Sequence, residues 1–183
     1  VQVTATETGL TVDIRGASAP SPSVAMALAA VTNHFRLARL TVAGEPVASL
    51  AEPSVRMGRA RVVLPPAAFL QATAAGEAAL AAFAVDALRG CRKIADLFCG
   101  VGPFALRLAE AAAVEAFDSG RDAVAALARA HAATSGLKPV KAVARDLFRS
   151  PVTARELAAF DAVLFDPPRQ GADAQARHIA AST

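Results

Sequence analysis

From Ala67 onward the chain alternates short apolar runs with longer helical ones, and that alternation limits the fold more than any other feature of its 183 residues. The runs Lys93–Phe98, Ala113–Asp118, Val140–Ala144 and Asp161–Phe165 have strand length, while Thr73–Leu88, Pro103–Ala111 and Ala123–Ser135 carry helical spacing. Strands separated by helices predict an α/β fold with a parallel, doubly wound, Rossmann-like sheet, because parallel neighbours need a crossover and crossovers are right-handed. A switch beside the first of these strands gives the order 3-2-1-4, through the strands ending at Ala144, Asp118, Phe98 and Phe165. A ligand then belongs beyond the carboxyl ends of the strands. The fourth strand keeps a free apolar edge, which predicts self-association there.

Residues 1–64 read as a separate, small α+β annex, and residues 65–183 as part of the α/β domain, with the boundary near Pro65-Pro66. Val1, Val3 and Ala5 alternate with polar residues, Glu7-Thr8-Gly9 supplies a turn, and Leu10, Val12 and Ile14 resume the alternation, so a β-hairpin is expected. Val24–Phe35 has helical spacing and Leu37–Val42 reads as a strand. Arg56, Arg59 and Arg61 form a cluster that serves either as a solvated face or as a surface for RNA.

Composition closes off several classes. With 54% hydrophobic and 19% charged residues the chain is not intrinsically disordered. No apolar run reaches the ~20 residues needed to span a bilayer, and Val1-Gln2-Val3-Thr4 has no charged or hydrophobic leader character, so a soluble, cytoplasmic protein without a membrane partner is expected. Cys91 and Cys99 with the scattered His34, His131 and His178 do not make a metal site. The net charge of +3 is mostly arginine, which permits an RNA partner without requiring one.

The segment Asp96–Ala105 ends an apolar strand on a carboxylate, makes a glycine turn and enters a helix at Pro103. Gly100-x-Gly102-x-x-Ala105 alone also fits a dinucleotide site. Asp96 separates the two readings, because a carboxylate there repels a pyrophosphate but attracts the ammonium and sulfonium of S-adenosylmethionine. Asp118, at the end of the next strand, is placed either to accept both ribose hydroxyls or to cap the following helix. Asp146, after the third strand, is either an acceptor for the adenine amino group or a surface acid, and Cys99 reads as a small packing residue. Asp166-Pro167-Pro168-Arg169 follows the fourth strand; prolines lack amide donors, so this loop offers acceptors on a stiff backbone, suited to the N–H edge of a flipped base.

Phe69-Leu70-Gln71, Asp96-Leu-Phe-Cys-Gly-Val-Gly102 and Asp166-Pro-Pro-Arg-Gln-Gly171 together resemble the RNA (uracil-5-)-methyltransferases, from about residue 60 onward. The resemblance implies S-adenosylmethionine as cofactor, contacts to it from Gln71, Phe98, Asp118 and Asp166, and the Asp166–Arg169 loop beside the target uridine of a structured, ribosomal RNA. Asp118 stands where that family usually has Glu, Phe98 where Tyr is common and Pro103 where a polar side chain often stands. The family's nucleophilic Cys and its Glu base are expected beyond Thr183, so the chain is read as a fragment cut at both ends and inactive by itself, without a catalytic residue of its own. The alternatives are another RNA or protein methyltransferase acting on amino groups, whose members usually carry an aromatic where Arg169 stands, and a cofactor- or RNA-binding module without catalysis.

Overall fold

The computed structural model describes residues 1–182, so the continuation expected past Thr183 lies outside the described residues. The chain forms two compact units, one of Val1–Arg56 with Arg61–Ala68, the other of Met57–Ala60 with Phe69 onward.

In the first unit β1 (Gln2–Thr6) and β2 (Gly9–Ile14) form the expected antiparallel hairpin. Helix α1 (Pro22–His34), opened by the Ser21 hydroxyl and by proline at its first turn, carries the chain over to β3 (Arg39–Val42), which pairs parallel with β2. A turn at Ala43-Gly44 then leads to β4 (Glu45–Ser49), antiparallel to β3. Leu37, Leu40 and Val42 pack against Val12, Ile14 and Leu28. Thr11, Asp13, Arg39 and Thr41 are also buried: Thr41 donates its hydroxyl to Asp13, and Arg39 gives one N–H to the Leu64 carbonyl at 2.8 Å. β5 (Ser54–Met57) and β6 (Ala60–Val63) make a two-stranded hairpin around Gly58, whose φ is 59°. The apolar pattern between residues 45 and 63 predicts no strand. These strands have only four or five residues, and exposed arginines and Pro46 interrupt their apolar pattern.

The second unit runs through α2 (Ala74–Ala87), β7 (Lys93–Leu97), α3 (Ala105–Leu108), β8 (Ala113–Asp118), α4 (Arg121–Ala132), β9 (Val140–Ala144), α5 (Ala154–Leu157), β10 (Ala162–Phe165) and α6 (Asp173–Ala180). Its four strands are parallel in the order β10-β7-β8-β9, the 3-2-1-4 arrangement that the alternation requires. One face of the sheet sends Ala95, Leu97 and Phe117 into a core with Leu147, Val152 and Leu157. Strand alternation therefore turns Ile94 and Asp96 to the other face. At the amino end, Asp161 accepts from the amides of Arg92 at 2.7 Å and Lys93 at 2.9 Å, fixing where β7 begins.

The helix expected over Pro103–Ala111 is regular for one turn only. Pro103 has no amide to give, the amides of Arg107 and Glu110 reach back three residues instead of four, and those of Ala111 and Ala112 both close on the Leu108 carbonyl. A single turn carries little macrodipole, so an anion gains less at Pro103 than a full helix there would provide. The glycines before it are fixed by geometry. Gly102 has φ 92° and an added Cβ would run into the buried Leu127 of α4, whereas Gly100 has φ 53° and nothing within 4 Å. We expect Gly100→Ala to destabilise the fold by ~1 kcal/mol through backbone strain, and Gly102→Ala by roughly 2–4 kcal/mol through strain plus overpacking, measured by urea unfolding.

Candidate functional site

Because the four strands are parallel, the residues following Leu97, Asp118, Ala144 and Phe165 come to one edge of the sheet. The ladder does not stop at Leu97. The amides of Phe98 and Cys99 both donate to the Phe117 carbonyl, at 2.9 and 3.0 Å, and Gly102 closes a turn on the Cys99 carbonyl at 2.9 Å. Phe98 itself sits at φ 67°, a left-handed conformation that costs a non-glycine residue on the order of 1 kcal/mol and is held here by those bonds.

Asp118 ties this turn to the neighbouring strand. One carboxylate oxygen accepts from the Gly100 amide at 2.9 Å and the other from the Gly120 amide at 2.7 Å. It does not cap α4, whose N-cap is Gly120, so the capping alternative is replaced by a staple between two loops. Asp146 accepts from the amides of Phe148 at 2.9 Å and Arg149 at 3.2 Å, shaping the loop after β9. That loop returns Phe148 to the edge, with its ring centroid 5.5 Å from that of Phe98, which also meets Phe165 at 6.0 Å. Phe148 is 47% exposed. Sequence reasoning missed it, although an aromatic two residues after a strand-ending acid was its visible signal.

Asp96 is the unusual member of the group. It is fully buried, and neither carboxylate oxygen has a hydrogen-bond partner. Burial pushes its pKa up to about 7; the nearby Ala105 amide opposes the shift, and the charges of Asp166 and Asp118 add to it. The edge therefore gathers three carboxylates, one of them with no proton donor to satisfy it. Asp166 and Arg169 make no side-chain hydrogen bond or ion pair among the described residues, and Gly171 turns the loop by donating to the Pro168 carbonyl at 2.7 Å. Pro167 is half-buried and Pro168 exposed. Gln71 lies half-buried in the loop before α2 without a side-chain hydrogen bond among the described residues.

Cys99 is buried in the turn, and its thiol is pushed well above the ordinary range by burial, with Asp96 and Asp118 adding to the effect. Cys91 borders a separate groove of about 530 Å³ at the amino end of the strands, lined by Ala81, Val85, Ile94 and Leu108. Among the described residues no group of three or more His, Cys, Asp or Glu could hold a metal ion, and no helix is long and apolar enough to cross a membrane. Of the arginine cluster, Arg56 pairs with Glu7 at 3.5 Å and Arg61 donates to Ser54 at 2.8 Å.

The description of the family "Methyltransferase small domain" matches residues 73–182, more than half of the chain and all four strands of this sheet. The chain belongs to the methyltransferase small domain family. A protein of Caulobacter vibrioides named as an uncharacterized RNA methyltransferase is 44% identical over all of this chain, which covers 45% of that protein. The 23S rRNA (uracil(1939)-C(5))-methyltransferase of Pseudomonas fluorescens is 38% identical over 63% of this chain and 26% of its own length. The tRNA (uracil-54, C5)-methyltransferase of Pyrococcus abyssi, solved with S-adenosyl-L-homocysteine, superposes with a TM-score of 0.68 over 93% of this chain and 43% of its own, at 21% identity. This likeness shows the Rossmann-like methyltransferase fold. The chain thus spans less than half the length of these proteins.

S-adenosylmethionine is the cofactor that membership of a methyltransferase family calls for, and the residues of this small-domain sheet fit it. An unpartnered buried carboxylate calls for a cation, the short α3 offers little to a pyrophosphate, and Phe98 with Phe148 gives an apolar wall beside the acids. In the ligand-free protein, Asp96 keeps its proton up to about pH 7, while the unfolded chain loses it near the ordinary ~4. The folded state therefore binds the extra proton between these values, and stability falls as pH rises through that window. Asp96→Asn should accordingly stabilise the ligand-free protein by roughly 2–4 kcal/mol at about pH 8 and by little at about pH 4. Urea unfolding at both pH values checks this, and a gap independent of pH would deny that charge is its origin.

Proposed function

We propose that this domain binds S-adenosylmethionine at the carboxyl edge of its sheet, and that the whole protein methylates carbon-5 of uridine in RNA, ribosomal RNA foremost, in the cytoplasm. The observation that carries the reading is the meeting of a cation-seeking acid, Asp96, with an acceptor-bearing Asp166-Pro167-Pro168 loop at one edge. The names of the Caulobacter and Pseudomonas relatives support RNA as substrate, and the latter supports uracil.

When bound, S-adenosylmethionine supplies an electrophilic methyl group on a positively charged sulfur. Asp96 holds the cationic end by charge. Asp118 has lone pairs beyond those used by Gly100 and Gly120 and would accept the ribose hydroxyls, while Asp146 would take the adenine amino group and Phe98 and Phe148 would exclude water from the ring. Gln71 contributes from the loop before α2, and Gly100 and Gly102 let the backbone approach closely. Asp166, Pro167, Pro168 and Arg169 present acceptors and a guanidinium to the uracil edge.

Carbon-5 of uracil becomes nucleophilic only after a thiolate adds at carbon-6. Cys99 is buried and kept protonated, and Cys91 stands at the opposite end of the strands. The nucleophile is thus sought outside the described residues. The chain alone is expected to leave no covalent adduct with 5-fluorouracil-substituted RNA, and an adduct abolished by Cys99→Ser would overturn this assignment. Among the described residues β10 pairs only with β7, and pairing of a second copy along its other side is to be checked by light scattering.

Calorimetry is expected to show S-adenosylmethionine binding, weakened roughly 10- to 150-fold by Asp118→Ala and less by Asp146→Ala. Nucleoside mass spectrometry of RNA treated with the whole protein should show 5-methyluridine. Methylated guanosine or adenosine would instead favour an enzyme acting on amino groups.

A further inference from the structure

The glycine turn covers a carboxylate that no group in the protein satisfies. Both oxygens of Asp96 are without a partner, and the side chain is wholly buried. The charges that act on it, those of Asp166 and Asp118, are negative. Arg169, in the loop after β10, is exposed and contributes nothing to the shift of Asp96, and the other charged groups on the packed elements are engaged elsewhere. Arg107 of α3 pairs with Glu77 at 3.0 Å, Glu115 of β8 pairs with Lys141 at 2.5 Å, and Asp161 before β10 holds the amides of Arg92 and Lys93. Lys93 at the start of β7 stands over the Phe160 ring, at 4.6 Å. With no cation of the protein's own nearby, the ionised form of Asp96 has only the Ala105 amide in its favour until a positive ligand binds.

We propose, resting on the cofactor reading above, that Asp96 senses the charge on the cofactor's sulfur: it ionises when the sulfonium form binds and regains a proton once the sulfur is neutral, so the site prefers fresh cofactor to spent. Methyl transfer turns the sulfonium into an uncharged thioether while the ammonium and carboxylate of the methionine part persist. Of the cofactor's charges only the sulfur's changes in the reaction, so a difference in the ionisation of Asp96 between the two forms follows the sulfur. The proton it sheds on binding goes to solvent, and an equal one returns after the methyl group has left. Asp96 acts by position and field, as a specificity-determining residue.

Asp96 carries its proton below about pH 7 in the free protein, so binding the sulfonium form there must expel it. Affinity for S-adenosylmethionine then falls as pH falls through that value, by up to roughly tenfold per pH unit, and S-adenosylhomocysteine loses less. The preference for the methylated cofactor narrows with acidity. Sinefungin, in which a protonated amine on carbon takes the place of the methyl group on sulfur, should follow S-adenosylmethionine.

The test is isothermal titration of the chain with these three compounds between about pH 5.5 and 8.5, in two buffers of different ionisation enthalpy, which counts the protons released. We expect release of most of one proton with S-adenosylmethionine and sinefungin near pH 6, and clearly less with S-adenosylhomocysteine. In Asp96→Asn the difference in proton release between the compounds should vanish, whereas titration of a ligand's own amine would persist. Should that variant fail to fold, the three wild-type series decide by themselves. Equal proton release with all three, or a preference unchanged by pH, overturns the inference while leaving cofactor binding intact. Absence of binding by every compound at every pH would sink the cofactor reading and this inference with it.

Discussion

An ionisable group buried without a partner at the end of a central strand is the constraint around which the second unit is arranged. Asp96 lies on β7, between β8 and β10, on the face opposite the Ala95–Leu97 core. Leaving a carboxylate there costs free energy unless it is protonated or meets a cation. The turn above it therefore cannot rely on Asp96 as its anchor. It is held by the doubled bond to the Phe117 carbonyl, by the Asp118 bond to Gly100, and by two glycines whose positive φ lets the backbone double back. Phe98, forced into the left-handed region, is the residue on which the strain of this arrangement falls.

The same elements explain why the site suits a cation better than a phosphate. In a dinucleotide site a long helix begins after the glycines and presents aligned amides to the pyrophosphate. Here the regular helix is one turn, Ala105–Leu108, and three acids converge beside it. The field at this edge is negative, and the backbone offers little to reverse it. A methyl donor that arrives with a positive sulfur and a positive amine is complementary to that field in a way that a nicotinamide dinucleotide is not.

The sheet was legible because its information is local and periodic. β8 and β9 have the bounds their apolar runs imply, and their order follows from handed crossovers. The hairpin β5–β6 escaped notice because its strands are four residues long, too short for alternation to stand out among Arg56, Arg59 and Arg61. The length of α3 was misjudged because its residues suit a helix, and the tightening to three-residue closures depends on Pro103 and on packing beyond sequence range. In the site, residue types announced the acids, but not their partners. That Asp118 is bonded through both oxygens while Asp96 is bonded through neither depends on which face of its strand each occupies and what lies above it. Phe148 joins Phe98 only because the Asp146 turn brings it back, a contact across 50 residues that no local pattern encodes.

Two of the three acids therefore carry different tasks although their side chains are identical. Asp118 accepts from two amides of the protein itself, so its contribution to the turn is structural whatever else it binds. Asp96 lacks such support, and its preferred protonation state depends on what the site contains. Occupation by a cation lets Asp96 carry its charge at reduced cost, so a cationic ligand binds the folded state with part of its free energy drawn from relief of an existing strain. Above about pH 7, where Asp96 has lost its proton, a site built of three equally satisfied carboxylates would gain less from a cation for the same contacts, because no unpaired charge would be waiting to be neutralised. On the function proposed above, the poor solvation of Asp96, a defect when the fold is considered alone, becomes the source of a preference for positive charge.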